Sequence, residues 1–281
     1  MKAKWRRAGL AVVVVTFIAG AASTRAATVP VSGWVVHNGT STVGGTASNP
    51  IFTPGDNITV MAPFADVVLA NNGDFVQGTT TLTMNTRTGT GINTLNTQLR
   101  VGLFHNNASS VVTANDVPNV GFIIEYTNLV AGGLIREQTN TAQTSPFTSP
   151  TNIGNGTQDS GADSIQGVNP GPVTFDLKLT RNAGKIDLVG TISGTDSVSG
   201  NPYVANYSIT GLSSTNFPAD GTFTFNRIGL LLGDGVNAAS ASLSDSSITT
   251  VPEPGSIALA GIAIGSIMLN RGARGGAPPR Q

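Results

Sequence analysis

The acidic residues of this 281-residue chain are the first candidates for chemistry, and their arrangement is unfavourable for it. Upstream of position 251 the glutamates are Glu125 and Glu137, twelve positions apart in unlike local sequences. A retaining glycosidase needs two carboxyl groups about 5.5 Å apart. Glu125 follows an apolar segment, which predicts a surface carboxylate at a strand end, with a lone buried acid as the alternative. His37 and His105 are also far apart, so we predict no catalytic residues and a protein that is not an enzyme.

Two turn-like segments offer the oxygen ligands that a hard cation prefers. One contains Asn71 and Asp74, and the other contains Asp234 and Asn237. Clustered side-chain and backbone oxygens are typical of calcium sites, but the same residue types are favoured in tight turns because they tolerate left-handed backbone angles. For Trp34 a core or edge position is favoured, and a platform for stacking a sugar ring is the alternative. We expect no cofactor, and Ca²⁺ is the candidate ion if one binds.

Residues 27–250 must be organised by β-strands, because this span has no sustained helical period of apolar residues. Strand-like segments rich in β-branched residues alternate with turns that contain Asn and Gly. At 173–194 an alternating pattern continues through a turn, which predicts an antiparallel hairpin with one solvated face. Residues 138–172 lack apolar periodicity and are predicted to be a long surface loop. The span therefore predicts one all-β, antiparallel sandwich or barrel domain.

The charge balance and the cysteine content limit what this domain can be. Residues 27–250 contain seven basic and fourteen acidic residues, which gives a formal charge of 7 − 14 = −7. An acidic domain lacks the clustered cations that bind nucleic acid. Because the chain contains no Cys, its stability must come from the core, from a bound metal or from assembly.

Residues 1–26 have the layout of a secretory signal peptide. Four basic residues precede an apolar run at 8–22, and small residues follow. The run is short for a membrane span, which needs roughly 20 residues, so a cleaved signal is favoured over a retained anchor. The preferred cleavage site lies between Ala26 and Ala27. Export would involve the secretion translocon and signal peptidase.

Residues 251–281 combine a proline-rich motif, an apolar segment and a basic end. In Pro252-Glu253-Pro254 the two prolines remove backbone donors and favour an extended conformation that a protease can reach. Residues 255–269 carry no charge, and as a helix they would rise roughly 22 Å, somewhat less than the thickness of a hydrocarbon core. Arg271 and Arg274 follow this segment, as positive-inside retention requires. The segment predicts association with a membrane through the apolar helix.

Three strand-and-turn segments resemble parts of the laminin-G and concanavalin A-like jelly rolls. They are LRVGLFHNN at 99–107, VTFDLKLTRNAGKIDLVGTISG at 173–194 and FTFNRIGLLLGDGVNAASASLSDSSIT at 223–249. The resemblance implies an antiparallel β-sandwich of two sheets packed face to face. In the precursor this sandwich would be flanked by the N-terminal signal helix and the C-terminal apolar helix.

The tail from VPEP at 251–254 to its basic end resembles the sorting sequence of PEP-CTERM proteins. The resemblance implies that the tail holds the exported chain at the inner membrane of a Gram-negative-type bacterium. An exosortase-type membrane protease would then recognise Pro252, Glu253 and Pro254 and process the chain. The family's basic end is usually compact, whereas here it is spread over RGARGGAPPRQ. The mature protein would reach the cell envelope, the outer surface or the extracellular matrix.

These features predict an exported, non-enzymatic surface or matrix protein that associates with exopolysaccharide. The polysaccharide part of this expectation follows from the two resemblances. One alternative is a carbohydrate-binding, lectin-like module or a carbohydrate-active enzyme. Another is a purely structural surface protein, which the low aromatic content of 6% favours.

Overall fold

The computed structural model describes residues 26–38, 43–53, 58–87, 98–106, 119–127, 133–139, 145–158, 171–195, 200–213, 223–233 and 238–251. The regular structure in these ranges is β-strand throughout, and the strands form two antiparallel sheets. The predicted fold class, an all-β antiparallel sandwich, is therefore confirmed. Within the same ranges there is no helix of the length and apolar character needed to cross a membrane.

The larger sheet has nine strands, and we call it the nine-stranded sheet. Its hydrogen-bonded order is β11 (Thr157–Gln158), β14 (Pro202–Leu212), β13 (Lys185–Thr195), β12 (Val173–Asn182), β6 (Phe75–Arg87), β16 (Ala238–Thr250), β4 (Pro50–Phe52) and β3 (Gly44–Gly45). A ninth strand, β1 (Ala27–Pro30), pairs with the C-terminal part of β16. The first and last strands in the described sequence are therefore neighbours in space.

The second sheet has seven strands, and we call it the seven-stranded sheet. Its order is β10 (Thr151–Asn155), β9 (Leu134–Gln138), β8 (Val120–Thr127), β7 (Gln98–His105), β15 (Phe223–Leu232), β5 (Ile58–Leu69) and β2 (Val35–Asn38). The inward side chains of both sheets form one continuous apolar core.

Alternation along the strands separates core residues from solvated ones. In β12, for example, Phe175, Leu177 and Leu179 are buried, and the residues between them are half-buried. Ala183 and Gly184 have φ values of 50° and 75° and join β12 to β13 as a two-residue hairpin loop. The hairpin predicted at 173–194 is therefore confirmed.

The central strands of the seven-stranded sheet, β7, β8 and β15, are buried on both faces, unlike an antiparallel sheet with one solvated face. Every residue of β8 is buried, and so are nine of the ten residues of β15. The side chains that point away from the core form a second apolar cluster on the outer face of this sheet. Its members are Met61, Phe104, Ile123, Phe147 and Leu231.

Residues 145–150, which we call the strap, cover this outer face. The strap lies between β9 and β10, which pair with each other, so the chain crosses the face and returns as an edge strand. Within the surface loop predicted at 138–172, residues 145–150 form the strap without regular secondary structure, whereas β10 and β11 are short strands; residues 140–144 and 159–170 lie outside the described ranges. The strap escaped detection because Phe147 is its single large apolar side chain. Its other contacts are polar, and they use backbone carbonyls and the Ser145 hydroxyl, which lies 3.2 Å from Thr59 Oγ1.

Candidate functional site on the seven-stranded sheet

The register of three neighbouring strands brings charged side chains together on the outer face. Arg100 of β7 lies directly opposite Glu125 of β8. Arg136 of β9 pairs with Ile123, two residues from Glu125 on the same face. Residues opposite or diagonal to each other on one face are close enough for long side chains to meet. Two guanidinium groups therefore converge on one carboxylate.

Glu125 is 1% exposed and accepts from both guanidinium groups. Arg100 Nε lies 2.9 Å from Glu125 Oε2, and Arg136 Nε contacts the same oxygen. A terminal nitrogen of Arg100 also reaches Glu125 Oε1 at 3.3 Å and Gln98 Oε1 at 3.1 Å. Both carboxylate oxygens are thus engaged in charge-assisted hydrogen bonds, which are stronger than neutral ones. The carboxylate holds the two arginines in place and is not presented to solvent.

The sandwich core supports the same position from behind. The hydroxyl of Tyr207, on β14 of the opposite sheet, donates to the backbone oxygen of Glu125 at 3.0 Å. Burial raises the pKa of Tyr207 well above its ordinary value, and the negative charge of Glu125 raises it further. The tyrosine therefore stays protonated, which keeps it available as a donor that ties the two sheets together.

The strap is held by donors that project from the sheet. Arg100 donates to Phe147 O at 2.7 Å, and Gln138 donates to Pro146 O and Thr148 O at 2.9 Å each. The charged group of Arg136 reaches Pro150 O at 3.4 Å. Backbone carbonyls of the strap thus accept hydrogen bonds from the same two arginines that bind the Glu125 carboxylate.

The apolar half of the site is a depression with a glycine floor. The ring of Phe147 packs edge-on against Phe104, with 5.3 Å between centroids and an interplanar angle of 89°. A Cβ at Gly102 would lie 2.3 Å from Phe104 Cζ, and a Cβ at Gly229 would lie 3.2 Å from Phe147 Cε2. Gly102 and Gly229 are directly paired neighbours. The two glycines therefore leave the space that the two aromatic rings fill.

The predicted position of Glu125 is corrected by this geometry. We expected a surface carboxylate at a strand end, but the strap and two arginines bury it. Glu137 pairs with Phe122, whose side chain is in the core, and so its position belongs to the opposite side of the sheet from Glu125. The two glutamates thus do not form the close pair that a glycosidase needs.

The first calcium candidate is a turn in which one carboxylate oxygen of Asp74 is already hydrogen-bonded to Asn71. Asp74 Oδ2 accepts from the backbone N–H of Asn71 at 2.7 Å and from its side-chain amide at 3.3 Å. Gly73, between them, has a φ of 91°. This pattern is the one expected for turn residues. Asp234 and Asn237 lie outside the described residues, within which no group of three or more His, Cys, Asp or Glu side chains is placed to hold a metal ion.

Trp34 and the two histidines are placed away from any shared site. Trp34 is 4% exposed and belongs to the core, so its burial opposes the sugar-stacking hypothesis. His37 is in β2 and His105 is in β7, with β5 and β15 between them. Three strand spacings amount to roughly 14 Å. The histidines therefore do not form a metal or catalytic pair.

The predicted processing residues fall at or beyond the edges of the described sequence. Ala26 and Ala27 are exposed, and Ala27 is the first residue of β1, opposite Thr250. The sorting motif Pro252, Glu253 and Pro254 and the basic residues Arg271 and Arg274 lie outside the described residues.

The outer face of the nine-stranded sheet differs in composition from the strap-covered face, because it carries rows of polar side chains. On the outer face of the nine-stranded sheet, polar residues follow one another across six strands in a row made of Ser247, Thr79, Asp176, Thr191, Asn206 and Thr157. The adjacent row contains Ser244, Thr81, Thr174 and Ser193. These side chains are half-buried or exposed, so they present hydroxyl, amide and carboxylate groups to solvent.

The site residues on the seven-stranded sheet were not predicted from the sequence. One signal was present: strand alternation places Phe104 on the same face as Arg100, and Ile123 on the same face as Glu125. Large apolar side chains on a supposedly solvated face indicate that another segment covers that face. The identity of that segment required the three-dimensional structure.

Comparisons with known proteins give similarity at the level of solved structures. No protein-family model matches the chain, and no curated protein matches its sequence. A winged bean acidic lectin in complex with methyl-α-D-galactose is 9% identical, with 81% of this chain and 98% of the lectin covered and a TM-score of 0.42. Lectin I from Ulex europaeus, in complex with a methyl glycoside of α-L-fucose, is 10% identical, with 80% and 98% covered and a TM-score of 0.42. The exoplasmic domain of VIP36, in a Ca²⁺- and Man2-bound form, is 13% identical, with 79% and 82% covered and a TM-score of 0.40.

Proposed function

We propose that this chain is an exported, non-enzymatic protein of the bacterial cell surface or extracellular matrix, sorted through a PEP-CTERM signal. The observation that carries the proposal is the order of features at the C-terminal end. The last described strand ends at Thr250, and VPEP, an uncharged segment and an arginine-containing end follow directly. A sorting signal of this kind needs to start where the folded domain stops, so that a membrane protease reaches an extended substrate.

Association with exopolysaccharide is the second part of the proposal, and the polar rows of the nine-stranded sheet support it. Strands lie about 4.8 Å apart, so the rows form a repeating array of hydrogen-bonding groups. Such an array suits a hydrated, hydroxyl-rich polymer, because many weak contacts along one polymer add up to useful avidity. Protein interfaces are instead enriched in aromatic residues and Met, and the two polar rows contain none.

A non-enzymatic role is favoured by the state of Glu125. Its carboxylate is bound by Arg100 and Arg136, and Glu137 belongs to the other side of the sheet. A general acid or base must reach the proton that it transfers, and a carboxylate enclosed by two guanidinium groups and a strap is not in that position.

The sorting proposal is tested by replacing Pro252, Glu253 and Pro254 with alanine in a host that carries an exosortase. We expect an unprocessed precursor in the membrane fraction, measured by intact mass spectrometry and cell fractionation. The matched control replaces Pro278 and Pro279, which lie in the same tail outside the motif. An unchanged mature mass and location in the motif variant would show that the motif does not direct processing.

A further inference from the structure

Positive charge is concentrated on the strap-covered face of an otherwise acidic domain. Of the seven basic residues in 27–250, Arg100, Arg136 and Arg227 belong to this face, since Arg227 pairs with Phe104. Arg227 is 0% exposed. Glu125 is the carboxylate that pairs with Arg100 and Arg136. Burying charged groups costs several kcal/mol per ion unless they are well paired, so an apolar sheet face would be the simpler support for a purely structural strap.

The contacts of the strap show what kind of group this face accepts. The strap backbone supplies carbonyl oxygens that accept hydrogen bonds from the side chains of Arg100, Arg136 and Gln138. Beside them, Phe104 and its glycine floor accept a flat apolar group, which here is the ring of Phe147. The face thus combines two cationic donors and one neutral amide donor with an aromatic platform.

We propose that this face is a binding site for a saccharide that carries uronic acid residues, and that the strap occupies the site when the saccharide is absent. The sugar carboxylate would take the place of the strap carbonyls at Nη1 of Arg100 and of Arg136, the terminal nitrogens that do not contact Glu125, and would accept charge-assisted hydrogen bonds there. The apolar face of the sugar ring would lie on Phe104. This inference rests on the proposed association with polysaccharide, and adds a site and a class of sugar to it.

The strap links binding to a conformational equilibrium. A saccharide binds only when the strap has lifted, so its apparent dissociation constant is the intrinsic value divided by the open fraction. Weakening the strap without touching the donors should therefore tighten binding. A purely structural strap predicts the opposite relation, since its loss would damage the sheet and create no site.

The test uses the full chain in detergent, with trigalacturonate as the probe and isothermal titration calorimetry as the measurement. We expect Phe147→Ala to bind trigalacturonate about tenfold more tightly than the unchanged protein, because the open fraction rises. Arg136→Gln should weaken binding about tenfold, since it removes a charge-assisted contact. Lys185→Gln, an exposed charge on the other sheet, is the matched control and should leave the affinity unchanged.

Hydrogen exchange on the unchanged protein tests displacement of the strap even if a variant fails to fold. The amide of Thr148 donates to Ser145 O at 3.1 Å within the strap. Trigalacturonate should accelerate hydrogen exchange at this amide while it slows exchange in β7 and β8. Slower exchange or no change at the strap would contradict displacement.

The remaining outcomes separate this inference from the proposed function. If maltotriose, a neutral sugar, binds as well as trigalacturonate and Arg136→Gln has no effect, the association with polysaccharide stands and the uronate site is wrong. If neither sugar binds any variant and no polysaccharide is retained, both proposals fail. If triglutamate binds as tightly as trigalacturonate, the face recognises peptide carboxylates and the assignment to sugar is overturned.

Discussion

At the scale of single residues, Glu125 determines whether the charged cluster is stable. Its carboxylate balances one of two guanidinium groups and fixes the positions of both. Buried ion pairs contribute little net stability when intact, but removing one partner leaves an uncompensated charge. The cluster is therefore sensitive to the loss of this one charge.

We expect Glu125→Gln to lower the free energy of unfolding by about 3 kcal/mol, because Arg100 and Arg136 would remain partly buried without a carboxylate. Urea denaturation followed by circular dichroism would measure the change. Asp176→Asn is a suitable control, since Asp176 accepts neutral hydrogen bonds from Gln77 and Thr79 on a half-solvated face. A loss of less than about 1 kcal/mol for Glu125→Gln would mean that the arginines find other partners.

Tyr203 and Tyr207 form a natural pair for testing hydroxyl contacts. Tyr207 donates to Glu125 O at 3.0 Å, whereas the buried Tyr203 hydroxyl has no hydrogen-bond partner in the described part of the chain. Tyr207→Phe should cost about 1 kcal/mol, and Tyr203→Phe should be neutral or stabilising, since it removes an unsatisfied polar group. Thermal or urea unfolding at neutral pH would distinguish the two. Equal costs would contradict this assignment.

The same tyrosines predict alkaline sensitivity. Burial raises the pKa of both in the folded protein, and neighbouring charges raise it further. Above about pH 10 the unfolded chain loses these protons and the folded chain keeps them, so stability falls as the pH rises, by about 1.4 kcal/mol per pH unit for each tyrosine. Below pH 10 both states are protonated, and the contribution is constant. In Tyr203→Phe the slope above pH 10 should decrease by one tyrosine's share, as measured by urea unfolding between pH 9 and 12.

At the scale of elements, the glycine floor of β7 couples a strand to the strap. Gly102→Ala would place a methyl group where Phe104 lies, with 2.3 Å to its nearest ring atom. Overpacking of this kind costs about 1–3 kcal/mol, and the displaced ring should loosen Phe147. Hydrogen exchange at the strap and urea unfolding would report both effects. Gly44→Ala is the control, because its nearest contact is 3.7 Å away in an exposed edge strand.

The elements that the sequence predicts correctly are those defined by local patterns. The hairpin of β12 and β13 has alternating side chains and an Ala183-Gly184 turn within one short stretch, so its register follows from adjacent residues. Local patterns do not show which distant segment covers a sheet face.

The candidate site escaped prediction for that reason. Arg100, Glu125 and Arg136 meet through strand pairings, and the segment that buries them begins twenty residues after Glu125. The expectation of a surface carboxylate assumed a solvated outer face, which is the usual case for an antiparallel sheet. Likewise, Trp34 could be assigned to the core only once both sheets were in place.

At the scale of the whole molecule, the two sheets differ in the surfaces that they offer. The nine-stranded sheet presents polar rows to solvent, whereas the seven-stranded sheet carries a covered charged site. Under the two proposals above, neutral and acidic parts of a polysaccharide would bind on opposite sides of one sandwich.

The neutral surface can be tested without touching the strap. We expect the double substitution Thr79→Val and Thr191→Val to reduce retention on a neutral polysaccharide several-fold. Both hydroxyls lie in the polar row that contains Asp176, and binding to a polymer depends on the sum of many such weak contacts. Affinity electrophoresis in gels that contain the polysaccharide would measure it. Thr151→Val, an exposed threonine on the edge strand β10, should have no effect. Unchanged retention in the double variant would exclude this surface.

The pairing of β16 has a mechanical consequence for a protein tethered through its C-terminal end. β16 is bonded along its length to β6 on one side, and to β1 and β4 on the other. A pull applied at Thr250 runs along the strand axis, so many hydrogen bonds carry the load together in shear. Peeling one bond at a time would require a pull across the sheet. Under the proposed C-terminal attachment, a domain anchored at this point would resist drag from flow or from a moving matrix without a disulfide to reinforce it.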